Sequence, residues 1–126
     1  MLKPRSIAKI IADTEGNTSF KDITLDTSQL NFAPPAPVLR STEVLAATGI
    51  RFLVLPEGWS GDFHPAPSRI LGIVVEGELE EATTDGETRL FKPGEMILGE
   101  DMGSKGHTTV AIKKTTLAII HLAEDE

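Results

Sequence analysis

Short apolar runs, each closed within a few residues by glycine, proline or an aspartate turn, leave this chain few ways to fold. Ile70 to Val75 is apolar on both faces and stops at Glu76-Gly77-Glu78. Leu79 to Thr84 alternates and runs into Asp85-Gly86, a strong hairpin signal. Thr88 to Phe91 ends at Lys92-Pro93-Gly94, and Met96 to Leu98 meets the charged, glycine-rich stretch Gly99 to Gly106. Thr108 to Ile112 and Thr116 to Leu122 follow, split by Lys113-Lys114-Thr115. A helix needs its apolar residues three and four apart over several turns. Only a single turn near Thr42 to Ala46 offers that spacing. The pattern predicts an all-β jelly roll or barrel.

The first third of the chain reads as an appendage to that barrel. Ile7, Ile10 and Ile11 form one β-rich run and Phe20, Ile23 and Leu25 another, with turn chemistry at Asp13 to Asn17 between them. Residues 6 to 25 are therefore expected to be a hairpin. Pro34, Pro35 and Pro37 forbid helix and central strand in the next segment. Phe32, Val38 and Leu39 beside them call for burial. The segment is an extended arm, with two destinations open: its own barrel, or the other subunit of a homodimer. Residues 1–41 are read as hairpin and arm and 42–126 as the barrel, all one domain of a size that supports one core.

Composition narrows the function. A net charge of −7, with Glu124-Asp125-Glu126 at the end, argues against nucleic-acid and anionic-membrane partners. The chain has no cysteine, so a disulfide frame or a thiolate metal site is impossible. Lys3, Arg5 and Lys9 precede acids rather than an apolar core, so the start does not read as a signal peptide. No apolar run is long enough to span a bilayer as a helix. A soluble, cytoplasmic protein is expected.

The candidate site lies where a barrel mouth is expected. His64 and His107 stand at strand ends, and Glu100 and Asp101 lie in the loop before His107. His121 shares its face with Leu117 and Ile119, the position of a core or edge histidine. Arg51 alternates with Phe52 and Val54, pointing into a pocket or snorkelling from an edge. Trp59, the only tryptophan, caps one end of the core or stacks on a ligand. No nucleophile elbow and no phosphate-binding glycine loop is present.

The stretch Gly58 to Gly77 resembles the first motif of the cupin superfamily. Gly58, His64 and Gly77 fall in register with it, while Ala66 and Ile70 occupy the positions of its second histidine and its glutamate. Pro93-Gly94 and His107 loosely resemble the second motif, with two extra residues before the histidine, Glu100 for a proline and Ala111 for an asparagine. The chain is also similar to small single-domain cupins of unassigned activity, through Phe32 to Pro37, Trp59 to Pro67 and the Glu100-Asp101 loop ending Gly106-His107. The resemblance implies a cupin-type jelly-roll barrel (a double-stranded β-helix) that takes a small-molecule ligand in a pocket holding His64, His107, Arg51, Trp59, Ile70, Glu100, Asp101 and His121. It also raises a metal-dependent oxygenase or isomerase, with His64 and His107 on zinc, iron or manganese. That alternative needs a further donor, from Glu100, Asp101 or His121, because Ala66 and Ile70 cannot ligate.

Overall fold

The computed structural model describes residues 6–124; Lys3 and Arg5 at the start and Asp125 and Glu126 at the end lie outside the described residues. Twelve strands are present and no helix among the described residues. The N-terminal hairpin is β1 (Ser6–Ala12) and β2 (Thr18–Thr24), paired antiparallel from Ile7 opposite Ile23 to Ile11 opposite Ser19. Two short strands, β3 (Ser28–Leu30) and β4 (Leu39–Ser41), pair with each other. The remainder is β5 (Ala47–Leu55), β6 (Ser60–His64), β7 (Ile70–Glu76), β8 (Leu79–Ala82), β9 (Thr88–Phe91), β10 (Met96–Gly99), β11 (His107–Ala111) and β12 (Thr115–Leu122). Thr42 to Ala46 is irregular chain rather than a helical turn.

These strands form a six-stranded sheet in the order β2-β1-β10-β7-β12-β5 and a four-stranded sheet in the order β6-β11-β8-β9. The sheets do not close into the barrel expected from the sequence; each ends in edge strands. Period-two alternation sorts the side chains between the faces. Val74 of β7 and Leu117 and Ile119 of β12 point inward to meet Leu79, Phe91 and Ala111 from the four-stranded sheet. Leu71 of β7 and Leu122 of β12 point outward and pack with Ile7 and Leu98 in a second cluster. This explains why Ile70 to Val74 is apolar at every position: β7 is central and both its faces are covered there, while Val75 near its end is exposed.

β6 has no strand signal, since Ser60-Gly61-Asp62 is poor in β-formers. It becomes a strand by pairing with β11, with His64 directly opposite His107. β5 absorbs Ala47 and the later run Ile50 to Leu55 into one strand, held by an antiparallel ladder to β12. No helix among the described residues is long and apolar enough to cross a membrane.

Candidate functional site

Pairing of β6 with β11 brings the two histidine rings to 4.7 Å between centroids, tilted by 57°. Two glycines make that approach possible. Gly106 has φ +83°, and a Cβ there would stand 2.1 Å from the carbonyl carbon of His64. A Cβ on Gly61 would stand 2.8 Å from the indole of Trp59 and 3.2 Å from the His64 ring.

His107 is held between two carboxylates. Its Nδ1 donates to Asp101 Oδ2 at 2.7 Å, and its Nε2 lies 3.6 Å from Glu81 Oε2. Asp101 is fully buried, and its other oxygen accepts from the backbone N–H of Ala66 at 3.3 Å. The Asp101 carboxylate therefore ties the residue at the second-histidine position to the surviving His107. Glu81 is buried too, and its Oε2 accepts the Thr109 hydroxyl at 2.7 Å. Burial pushes the Glu81 carboxyl up to about 7, against the pull of the His107 charge and the Thr109 hydrogen bond. Burial works against charge on His107 as well, yet the Asp101 bond and the charges of Glu81 and Asp101 raise its pKa. The result is an acid–imidazole–carboxylate chain that can hold or exchange a proton near neutral pH. His64 is anchored separately. Its Nδ1 is 2.6 Å from the Asp62 carbonyl, which makes Nε2 the acceptor in the neutral ring.

The N-terminal hairpin holds this arrangement from behind. Lys105 N donates to Gly16 O at 3.0 Å, and the buried Thr18 hydroxyl donates to Gly106 O at 2.7 Å. Within the loop, Ser104 Oγ donates to Asp101 O and accepts from Gly106 N. The appendage of the sequence reading thus orders the segment that carries Asp101 and leads into His107.

Two adjoining cavities open from the histidines. The inner one, about 280 Å³, is lined by Leu53, Leu55, Trp59, Ile70, Leu117 and Ile119, with His64, Glu81, His107 and Thr109 at its polar end. The outer one, about 440 Å³, shares Leu53, His64, Ile70, His107 and Ile119 and adds Arg51, Ser68 and His121. Arg51 Nε donates to His121 Nε2 at 3.0 Å. Of the residues singled out in the sequence, His64, His107, Trp59, Ile70, Arg51 and His121 thus line this continuous space. Asp101 sits behind His107 in the interior, not over an opening, because its carboxylate is taken by His107 and Ala66. Glu100 does not line either cavity; it pairs with Lys9 at 2.7 Å and Arg69 at 2.5 Å. Lys105 is bonded to Asn17.

Glu81 is the residue that sequence reasoning missed. The signal was present: Leu79 to Thr84 alternates, which places Glu81 on the same inward face as Leu79, and a carboxylate among core positions is a site marker.

The donor set does not fit the metal that the cupin resemblance implies. Ala66 and Ile70 carry no ligating atom, and Asp101 occupies His107 Nδ1. Among the described residues no cluster of three or more histidine, aspartate or glutamate side chains has a geometry that could hold a metal ion.

No family model and no curated protein matches this sequence. Solved structures do resemble it. The conserved SPY1581 protein of unknown function from Streptococcus pyogenes is 23% identical with a TM-score of 0.50, over 62% of this chain and 65% of that one. The cupin domain of Schizosaccharomyces pombe Cnp3 is 12% identical with a TM-score of 0.48, over 94% of this chain and 88% of that one. The catabolite activator protein of Thermus thermophilus is 22% identical with a TM-score of 0.42, over 57% and 38%. This chain thus spans less than two thirds of the length of the Streptococcus protein, and at such identity the likeness is one of fold.

Proposed function

We propose that this chain is a small-molecule-binding protein of cupin type, with the ligand held between the two sheets. The observation that carries the reading is the inner cavity: apolar walls from β5 and β12, and one polar end built from His64, His107 and Glu81. Such a space takes an apolar body with one polar group, the usual composition of a ligand pocket. At about 280 Å³ it holds roughly nine waters' worth of liquid volume, which sets the ligand at the size of a small ring or short chain. Asp101 balances the charge of His107, and Glu81 titrates near 7, so the polar end favours a neutral hydroxyl or carbonyl over an anion. Arg69 and Lys105 are engaged with Glu100 and Asn17, and Arg51, which donates to His121, lines the outer cavity rather than this polar end. The incomplete motifs, with Gly58, His64 and Gly77 in register, support the cupin assignment. The metal-dependent alternative rests on the retained His64 and His107 alone and is not better supported.

Trp59 lines the cavity and is the chain's one tryptophan, with no tyrosine to obscure it. Its emission should change saturably on titration with cyclohexanol or cyclohexanone, and less with cyclohexanecarboxylate. Substitution Leu117→Phe, which fills the cavity, should weaken that response at least tenfold. A wild-type emission indifferent to all three compounds would remove the pocket reading.

A further inference from the structure

Two apolar surfaces of this chain stand open to solvent. The first is the end of the six-stranded sheet, where β5 is an edge strand. Ile50, Phe52 and Val54 project from it and are 60, 65 and 60% exposed. The second is the segment between β2 and β5. It carries Phe32, Val38, Val44 and Leu45, at 72, 56, 93 and 51% exposure, and folds only as the β3–β4 ribbon. Seven such side chains, at roughly 100 Å² exposed apiece, come to ~700 Å² per chain, close to the ~800 Å² that one side of a standard stable interface buries. Exposed apolar patches of several hundred Å² mark interaction sites on soluble proteins.

The cavity is unfinished at the same edge. Leu53 and Val54 form its wall while being 42 and 60% exposed, and Trp59 beside them is 43% exposed. β5 also carries none of the usual protections of an edge strand: it has no proline, and Arg51, its one charge, faces the cavity. The segment has the matching chemistry. Pro34, Pro35 and Pro37 let it cover one edge without offering another edge for further pairing.

We propose that residues 26–46 of a second copy lie along β5 and complete the cavity wall beside Leu53, Val54 and Trp59, in a two-fold dimer in which the arms are exchanged. The interface is isologous, since each chain supplies one arm and one β5 edge. It rests on the cavity reading for what is enclosed, but its test needs no ligand, so the two fail separately.

Sedimentation velocity of the full chain at 20 µM should give twice the 13.6 kDa chain mass. An arm variant, Phe32→Ser with Val38→Ser, and an edge variant, Phe52→Ser with Val54→Ser, should each be monomeric. All four positions are exposed in the single chain, so circular dichroism should show the wild-type β spectrum for both variants. In the arm variant, acrylamide quenching of Trp59 should rise about twofold. Mixing the two variants should restore dimer and re-protect the Trp59 of the arm variant, because an intact arm then meets an intact edge. A monomeric wild type would overturn the proposal. So would a wild-type dimer whose Trp59 quenching is insensitive to the arm substitutions, which places the interface elsewhere. Failure of the mixture to restore dimer would show that the arm folds back on its own chain, and would overturn it as well.

Discussion

Asp101, in the loop after β10, and His107, the first residue of β11, meet through a 2.7 Å Oδ2–Nδ1 hydrogen bond in the interior. The same carboxylate reaches the backbone of Ala66, so one buried charge orders both sides of the histidine pair. Substitution Asp101→Asn keeps the shape and removes the charge. His107 then loses the bond and the charge that hold its pKa up, and its pKa should fall, measured from the imidazole nitrogen shifts by NMR. Breaking a buried pair on one side costs about 3–5 kcal/mol, so urea unfolding should show a loss near the lower end, since asparagine retains one hydrogen bond. An unchanged His107 titration would show that Asp101 does not set it.

Glu81 makes stability depend on pH in an unusual direction. Its carboxyl is pushed up to about 7 in the folded chain from an ordinary 4.5, so the native state binds this proton more tightly than the unfolded state. Its contribution is complete below the unfolded value and is lost as pH rises through about 7. His107, also raised, loses stability in the same sense as pH rises past its unfolded value. The Glu100 carboxylate runs the other way: burial opposes its ionisation, but Lys9 and Arg69 hold its pKa low, so its contribution is lost only in acid. From about pH 5 to 8 the wild type should lose on the order of 2–3 kcal/mol that Glu81→Gln does not lose. Denaturant midpoints across that range measure it, and parallel curves for the two proteins would refute the assignment.

Gly106 and Gly86 separate backbone strain from steric exclusion. Both have positive φ, +83° and +90°, but a Cβ at Gly86 meets nothing within 4 Å while one at Gly106 enters the His64 carbonyl. Gly86→Ala should cost about 1 kcal/mol from the left-handed backbone alone. Gly106→Ala should cost upwards of about 3 kcal/mol, since β6 must move away from β11, and should separate the two histidine resonances from their wild-type positions. Equal losses for the two variants would mean that the close approach of Gly106 to His64 is not needed.

Removal of divalent metal should leave the protein unchanged. The ligand set at His64 and His107 is not completed, so dialysis against EDTA should shift the Tm by less than about 1 °C, where loss of a bound structural metal shifts it by many degrees. A large fall, reversed by adding zinc, iron or manganese, would restore the metal-dependent reading.

Much of the fold was legible because strand signals are local. The alternation of Leu79 to Thr84, the Asp85-Gly86 turn and the two-faced run Ile70 to Val75 each give away an element without reference to the rest of the chain. β6 was not legible, since Ser60-Gly61-Asp62 has no propensity of its own and extends only against β11. The exchange of a closed barrel for two open sheets was hidden too, because edge pairing between distant strands leaves no mark on either strand.

Within the site, the amino-acid sequence alone determined that His107 sits at a strand end, that Ala66 and Ile70 withdraw two donors, and that His121 shares a face with Leu117 and Ile119. Those statements follow from spacing and from the chemistry of single side chains. Only the tertiary structure decided that Glu81 and Asp101 flank His107, that Glu100 goes instead to Lys9 and Arg69, and that the cavity ends at an uncovered β5. The reason is that side-chain period tells which way a residue points, whereas register between strands many residues apart tells what it meets.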